Sequence, residues 1–500
     1  MSYLDSKSAF IREICGRLRF ACMLCVAQCC TFSIAAAADS PFVGSQACNS
    51  VSCHGRAEPR RVSGGGSGAS LHEFLLYERH DPHAKAAKTL VSPEFQAIVH
   101  RLSERKEGPS SAEVYRQCAQ CHDHEGIVAA EHSGEQLLPL EPGHGMSLRG
   151  IGCESCHGGG KDWLATHYER DVSRSSLVAA GMRDTKDLHV RGKLCASCHV
   201  GSAEKNVNHD LLAAGHPPLR FELAAYHRKL TSHDDAGKVS HWNDARERIT
   251  TTEFEVKLWE AGQIAAADAA LTLLESRAHR AALAFSEDHP AGASWPEFAE
   301  YDCFQCHQNL RPMEKKSKAP SAGLPEWGAW NFAMVVASAE GKELNALRAE
   351  MKKAFTAPPE AVTARAANVR LTLASSLLTR NITSSTLLEL QKRPSEASKS
   401  WDALCQRYLA QRVIEKAIGD EFQKLELAGN VRAAERKDFN EERDEIDRDL
   451  AAIGHELSFA DEKHEWPRVL ATPERIEKVE SDLTAAAGKL RELQSYLEQR

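Results

Sequence analysis

Five times in the chain a cysteine pair is followed at once by histidine: Cys48…Cys53-His54, Cys118…Cys121-His122, Cys153…Cys156-His157, Cys195…Cys198-His199 and Cys303…Cys306-His307. Four of these units have the spacing CxxCH and the first has CxxxxCH. Both thiols of such a unit can add to the vinyl groups of one haem, and the adjoining imidazole then reaches the iron as proximal ligand. Paired cysteines also serve zinc ribbons, disulfides and thioredoxin-like redox sites. With 23 His in 500 residues, finding His after all five pairs by accident has a probability of roughly 2 × 10⁻⁷, so zinc or a disulfide network does not account easily for the pattern. The cofactor expectation is therefore five haem c groups, with iron on His54, His122, His157, His199 and His307.

A haem iron held by one imidazole has a sixth position, and its occupant decides between electron transfer and catalysis. The remaining histidines supply the distal candidates. In Asp81-Pro82-His83-Ala84 the aspartate can cap and the proline can open a helix, projecting His83 from its first turn, with His80 a weaker competitor. His167 lies ten residues after the third unit, where Trp163 could pack on a porphyrin edge. His209 and His216 are seven residues apart; if helical, two turns put them on one face about 10.5 Å apart, able to serve neighbouring haems. His189, six residues before Cys195, is a local candidate for the fourth haem. His144, His227, His241 and His279 stand in reserve, and the few methionines argue against widespread Met ligation.

Those positions carry a resemblance. Ile151-Gly152-Cys153-Glu154-Ser155-Cys156-His157-Gly158, together with upstream His83-Ala84-Lys85-Ala86 and downstream His167, resembles the cytochrome c-554 family of secreted multihaem electron carriers over roughly residues 41 to 220. The resemblance implies that His83 ligates the third haem, His167 the first and His189 the fourth, although the spacing of His189 to Cys195 is one residue longer here. It also implies that the second haem, on His122, lacks a strong distal ligand and could bind nitric oxide or another small nitrogen species. The chain departs from the tetrahaem pattern in its CxxxxCH unit, its His209/His216 segment, its fifth unit and a helical C-terminal extension. The stretches around His209 to Leu223 and Trp295 to His307 look like those of related pentahaem proteins, and ligands for the fourth and fifth haems stay open.

The elements around these residues follow from composition and pattern. Arg12, Arg17 and Arg19 precede an apolar run from Phe20 to Ala36, and Ala35-Ala36-Ala37-Ala38 ends before Asp39, which reads as a cleaved secretory signal; an uncleaved anchor is the alternative. Its removal leaves eleven cysteines, ten in the five units plus Cys405, expected to be a buried thiol. Residues 1–38 carry four basic and two acidic side chains, so the formal charge of −8 becomes −10. Nucleic acid is not an expected partner of so acidic a chain, whereas a basic face on a redox protein is.

The expected fold is mainly α. A multihaem cytochrome c domain with little regular sheet spans 39–330, built of short helices and loops because haem supplies apolar surface itself. Gly64 to Gly68 marks a flexible connection and Gly158-Gly159-Gly160 permits close backbone approach. Residues Thr252 to Ser286, rich in Ala, Leu and Glu without Pro, predict one long helix whose Trp259, Leu271, Leu274, Ala278 and Ala281 could face the haems. A helical, coiled-coil-like region spans 331–500. There Ile476, Val479, Leu483, Ala486, Leu490, Leu493 and Leu497 form three heptads behind Thr472-Pro473, and Ile446, Leu450, Ile453 and Leu457 form a partner stripe. The seam is read as packing within the chain, with an oligomer or docking surface as the alternative.

Two functions compete. In the first, a periplasmic c-type cytochrome passes electrons between redox partners, a quinol-oxidising membrane complex being a candidate donor. In the second, a haem enzyme reduces or oxidises a small nitrogen or sulfur species at one open iron, that of His122 first. The absence of a CxxCK motif and the supply of distal histidines favour the carrier.

Overall fold

The computed structural model describes residues 40–58, 71–105, 108–133, 149–231, 253–286, 295–302, 325–328, 330–334, 341–353, 358–377, 382–391, 400–457 and 472–499. The stretch 1–38 read as a signal, Gly64 to Gly68, His144, His241 and the fifth unit, Cys303 to His307, lie outside the described residues. Those described are mainly helical; no strand forms among them, and one antiparallel bridge joins Tyr301 to Trp327.

Up to residue 231 the helices are short, and capping side chains fix where they begin. They are α1 (Glu73–His80), α2 (Pro93–Ser103), α3 (Ser111–His122), α4 (His124–Ser133), α5 (Cys153–His157), α6 (Arg174–Ala179), α7 (Leu188–His199), α8 (His209–Ala214) and α9 (Leu223–Thr231). A 3-10 segment, Pro82–Val91, follows α1; Asp81 caps it by accepting the His83 amide, with Pro82 in its first turn. Ser92 caps α2, a Ser110/Glu113 capping box opens α3, Asp187 caps α7 and Asn208 caps α8. The apolar clusters here are small: Leu90, Phe95, Tyr115, Ala119 and Ile127 in one, Leu102, Val114, Leu211 and Ala214 in another.

The expected long helix is α10 (Phe254–Ser286), 33 residues and therefore about 50 Å of rigid strut. It is apolar around most of its circumference because it is covered on several sides, by α7, by α9 and by the C-terminal helices. Trp259, Leu271, Leu274, Ala278 and Ala281 are all buried. Gly192 lets α7 approach, since a Cβ there would stand 2.9 Å from the Ala261 carbonyl oxygen.

Beyond residue 330 come α11 (Gly341–Lys353), α12 (Pro359–Leu377), α13 (Ser384–Leu390), α14 (Trp401–Leu427), α15 (Ala433–Leu457) and α16 (Pro473–Glu498). Helices α12 and α14 lie on α10, and α14, α15 and α16 pack on one another. Thr472 caps α16 with Pro473 in its first turn. The heptad residues from Val479 to Leu497 are buried against the stripe Ile446, Leu450, Ile453 and Leu457, with Ile476 partly buried beside them. The seam is thus filled within the chain. Cys405 is buried on α14. One apolar cluster runs without interruption from Ala196 and Val200 through Trp330 and Phe332 to Leu497, so the packing is continuous across residue 330. Among the described residues no helix is long and apolar enough to cross a membrane.

Candidate functional site

In each of the four described units local geometry brings the two thiols and the imidazole together. The second unit ends α3, the third is α5 and the fourth ends α7. On a helix, cysteines three apart share a face and the next residue is the histidine. The first unit, two residues longer, reaches the same end through a 3-10 turn, Ser45–Cys48, and a folded loop: the Cys53 amide donates to Ser50 and the His54 amide returns to the Cys48 carbonyl. All eight cysteines are free thiols.

The four units form a row. Cys48 of the first hydrogen-bonds Cys153 of the third, which favours the thiolate on Cys153 and disfavours it on Cys48. Cys156 of the third lies near Cys195 of the fourth; burial first, then each thiol's neighbours, push Cys156 up to about 12. Cys198 of the fourth hydrogen-bonds Cys121 of the second, and this bond, helped by Lys205 Nζ at 3.0 Å from its Sγ, holds the Cys198 thiol below its usual range. The spatial order is first, third, fourth, second.

Three imidazole pairs face one another. Ring centroids are 6.2 Å apart for His54 and His167, 6.5 Å for His122 and His216, and 6.0 Å for His83 and His199. With a metal–nitrogen bond of about 2 Å, and roughly 1.1 Å more from each nitrogen to its ring centre, two imidazoles on opposite sides of one iron would have centroids about 6.2 Å apart. Five of these rings have a nitrogen committed to a nearby acceptor. His54 Nδ1 bonds Glu73 Oε2 at 2.9 Å, His83 Nδ1 bonds Asp81 Oδ1 at 2.9 Å, His167 Nδ1 donates to the Leu164 carbonyl at 2.6 Å and His216 Nδ1 to the Pro217 carbonyl at 2.7 Å. The His122 ring donates to the Ala86 backbone carbonyl. A hydrogen held on Nδ1 leaves the Nε2 lone pair for a metal and makes it more basic, the usual arrangement of a metal-bound histidine. Trp163, buried, stands edge-on to His167 at 5.5 Å, and His199 stacks on Phe221 at 5.1 Å.

His167 faces the first unit, as the resemblance implies. Three other expectations change. His83 faces His199 of the fourth unit and not His157 of the third; only its backbone carbonyl serves the third unit, accepting the Ile151 amide at 3.3 Å. His189 does not stand opposite His199, because both sit on α7 and ten residues of helix separate them by about 15 Å. His209 and His216 do not share a helical face: Gly215 adopts φ 116° and ends α8 at Ala214, so His209 turns to Phe298, at 5.7 Å, while His216 turns to His122. Of the reserves, His227 is buried on Arg191, whose Nη1 is 3.0 Å from its Nε2, and His279 is exposed.

Several positioning residues carry no sequence signal beyond their type. Glu154, inside the third unit, is buried and accepts the amides of Val43 at 2.9 Å, Gly44 at 2.6 Å and Gly160 at 2.6 Å, binding the first unit's leading segment to the third. Arg183 Nη1 donates to the carbonyls of Ser155 and Cys156, at 2.7 and 3.1 Å. Asp123, buried at the end of α3, accepts the Arg149 and Gly150 amides. Its carboxyl is raised above the usual range, by burial first, against those hydrogen bonds.

No protein-family model, no curated protein and no solved structure matches the chain. The likeness to the cytochrome c-554 family therefore rests on the quoted motifs alone. Among the described residues no three His, Cys, Asp or Glu side chains converge as a metal cage. A haem iron takes four nitrogens from its porphyrin and would ask the protein for up to two more ligands, which each imidazole pair could supply. The donor set fits haem.

Proposed function

We propose that this chain is a multihaem c-type cytochrome that carries electrons between redox proteins through five covalently attached haems. The observation that carries this reading is the repeated coincidence, at three units, of two free thiols, a proximal imidazole and an opposing imidazole at 6.0–6.5 Å. When bound, haem held this way supplies one-electron cycling between ferric and ferrous iron.

The chain's own residues do the rest. The thiols anchor each porphyrin, and carboxylates or carbonyls on Nδ1 keep the imidazoles basic, which favours the ferric state and low potentials. The row of units gives successive cofactors short separations, and the apolar clusters around Ala119 and Ala196 keep water from their inner faces. Covalent attachment through thiols suits an exported protein, as the basic and apolar N-terminal stretch suggests. The acidic chain complements a basic docking face on its partners.

Reductive titration of the purified holoprotein tests this reading. Uptake of one electron per haem, reversed by an oxidised redox protein without consumption of nitrite or hydroxylamine, is expected. A preparation with no reducible chromophore would overturn it.

A further inference from the structure

We propose that His216 is the sixth ligand of the iron carried by His122, so that the second haem site is closed on both faces. This rests on the haem reading above and deepens it, for the family resemblance implies an open iron at this unit.

The assignment starts with the ring. His216 lies 6.5 Å from His122, centroid to centroid, with the ring planes at 72°, and its Nδ1 is committed to the Pro217 carbonyl at 2.7 Å. Nε2 is thereby left as the ring's basic atom.

The backbone then explains why the ring is there. Helix α8 ends in a full Schellman motif: the Gly215 amide bonds the Leu212 carbonyl at 3.0 Å and the His216 amide bonds the Leu211 carbonyl at 3.1 Å. Gly215 takes the left-handed conformation the motif requires, and a Cβ there would stand 2.9 Å from Arg101 Nη1. That guanidinium donates to the Ala214 carbonyl at 2.6 Å, tying the helix end to α2. Pro217 follows and stiffens the exit.

A third, independent observation joins this turn to the second unit. Leu211 and Ala214 of α8 share a buried cluster with Leu102 of α2 and Val114 of α3, and Cys118, the first thiol of that unit, packs against the same cluster. Arg105, just past the end of α2, and Asp210 of α8 add an ion pair at 2.6 Å. The elements carrying Cys118, His122 and His216 are thus braced as one body, and the imidazole is held in place before any cofactor arrives.

The test uses the full-length holoprotein and its His216→Ala variant, with haem counted by intact mass. The variant is expected to keep its haem count, since Cys118 and Cys121 are untouched, and to gain one high-spin ferric haem per chain by electron paramagnetic resonance. Reduced variant should bind one carbon monoxide more than wild type, and added imidazole should return the spectrum to low spin, which a misfolded chain would not do. His216→Met provides the second arm: the site stays six-coordinate and one midpoint potential rises, because a methionine partner favours ferrous iron. A wild-type protein already showing a high-spin haem that binds cyanide, unchanged in both variants, would overturn the assignment. Wild-type protein without covalent haem would instead defeat the haem reading itself.

Discussion

At the scale of single residues, Glu73 is the clearest example of a side chain that would tune a ligand, on the haem reading, without itself ligating. Its carboxylate accepts from His54 Nδ1 and also from the Leu71 amide at 3.2 Å, and its hydrogen bond is the leading cause that raises the His54 ring above the ordinary imidazole range. A charged acceptor on Nδ1 gives the ring more anionic character, which stabilises ferric iron on Nε2. Glu73→Gln keeps a hydrogen bond and removes the charge. One haem's midpoint is therefore expected to rise by tens of millivolts, on the order seen for such outer hydrogen bonds, while the others stay put in a redox titration; no shift at any haem would contradict this role. The five units of a cysteine pair followed by histidine are legible in the sequence because their spacing is local. Which distal ring meets which unit is not, since His83 sits between the third and fourth units and only tertiary packing turns its ring to His199. Glu154 was equally hidden: a glutamate between two thiols looks like solvent-facing filler until its three amide partners are known.

At the scale of elements, the starts of helices are readable and one helix end misleads. Asp81-Pro82 and Thr472-Pro473 open elements where capping chemistry says they should. The seven-residue spacing of His209 and His216 looks like two helical turns, but Gly215 stops α8 one residue before His216 and sends the two imidazoles to different neighbours. Gly215→Ala should cost about 1–2 kcal/mol from the left-handed backbone alone, with Arg101 displaced in addition. Gly215→Asn should recover much of that loss, because asparagine tolerates this conformation. Denaturant unfolding measures both, and equal stability of all three proteins would mean that the turn is not strained by a side chain. The heptad pattern of α16 reads correctly as a seam, and packing decides that α14 and α15 fill it.

At the scale of the whole molecule, two kinds of interior meet. Up to about residue 195 and around Leu211 the apolar clusters are small and the caps and buried carboxylates numerous. From α10 onward the interior is ordinary helix packing, continuous from Ala196 to Leu497. Composition alone suggested a boundary near residue 330, because linkers and charge runs mark it. It could not show that α10 joins the two sides by packing on α7 and on α12 and α14 at once. The proposal that the thiols of these units hold haem can be tested directly. Intact mass of the denatured, acid-extracted protein decides that directly: five covalent haems per chain are expected, whereas a chain that keeps no haem and whose thiols all react with an alkylating reagent would contradict it.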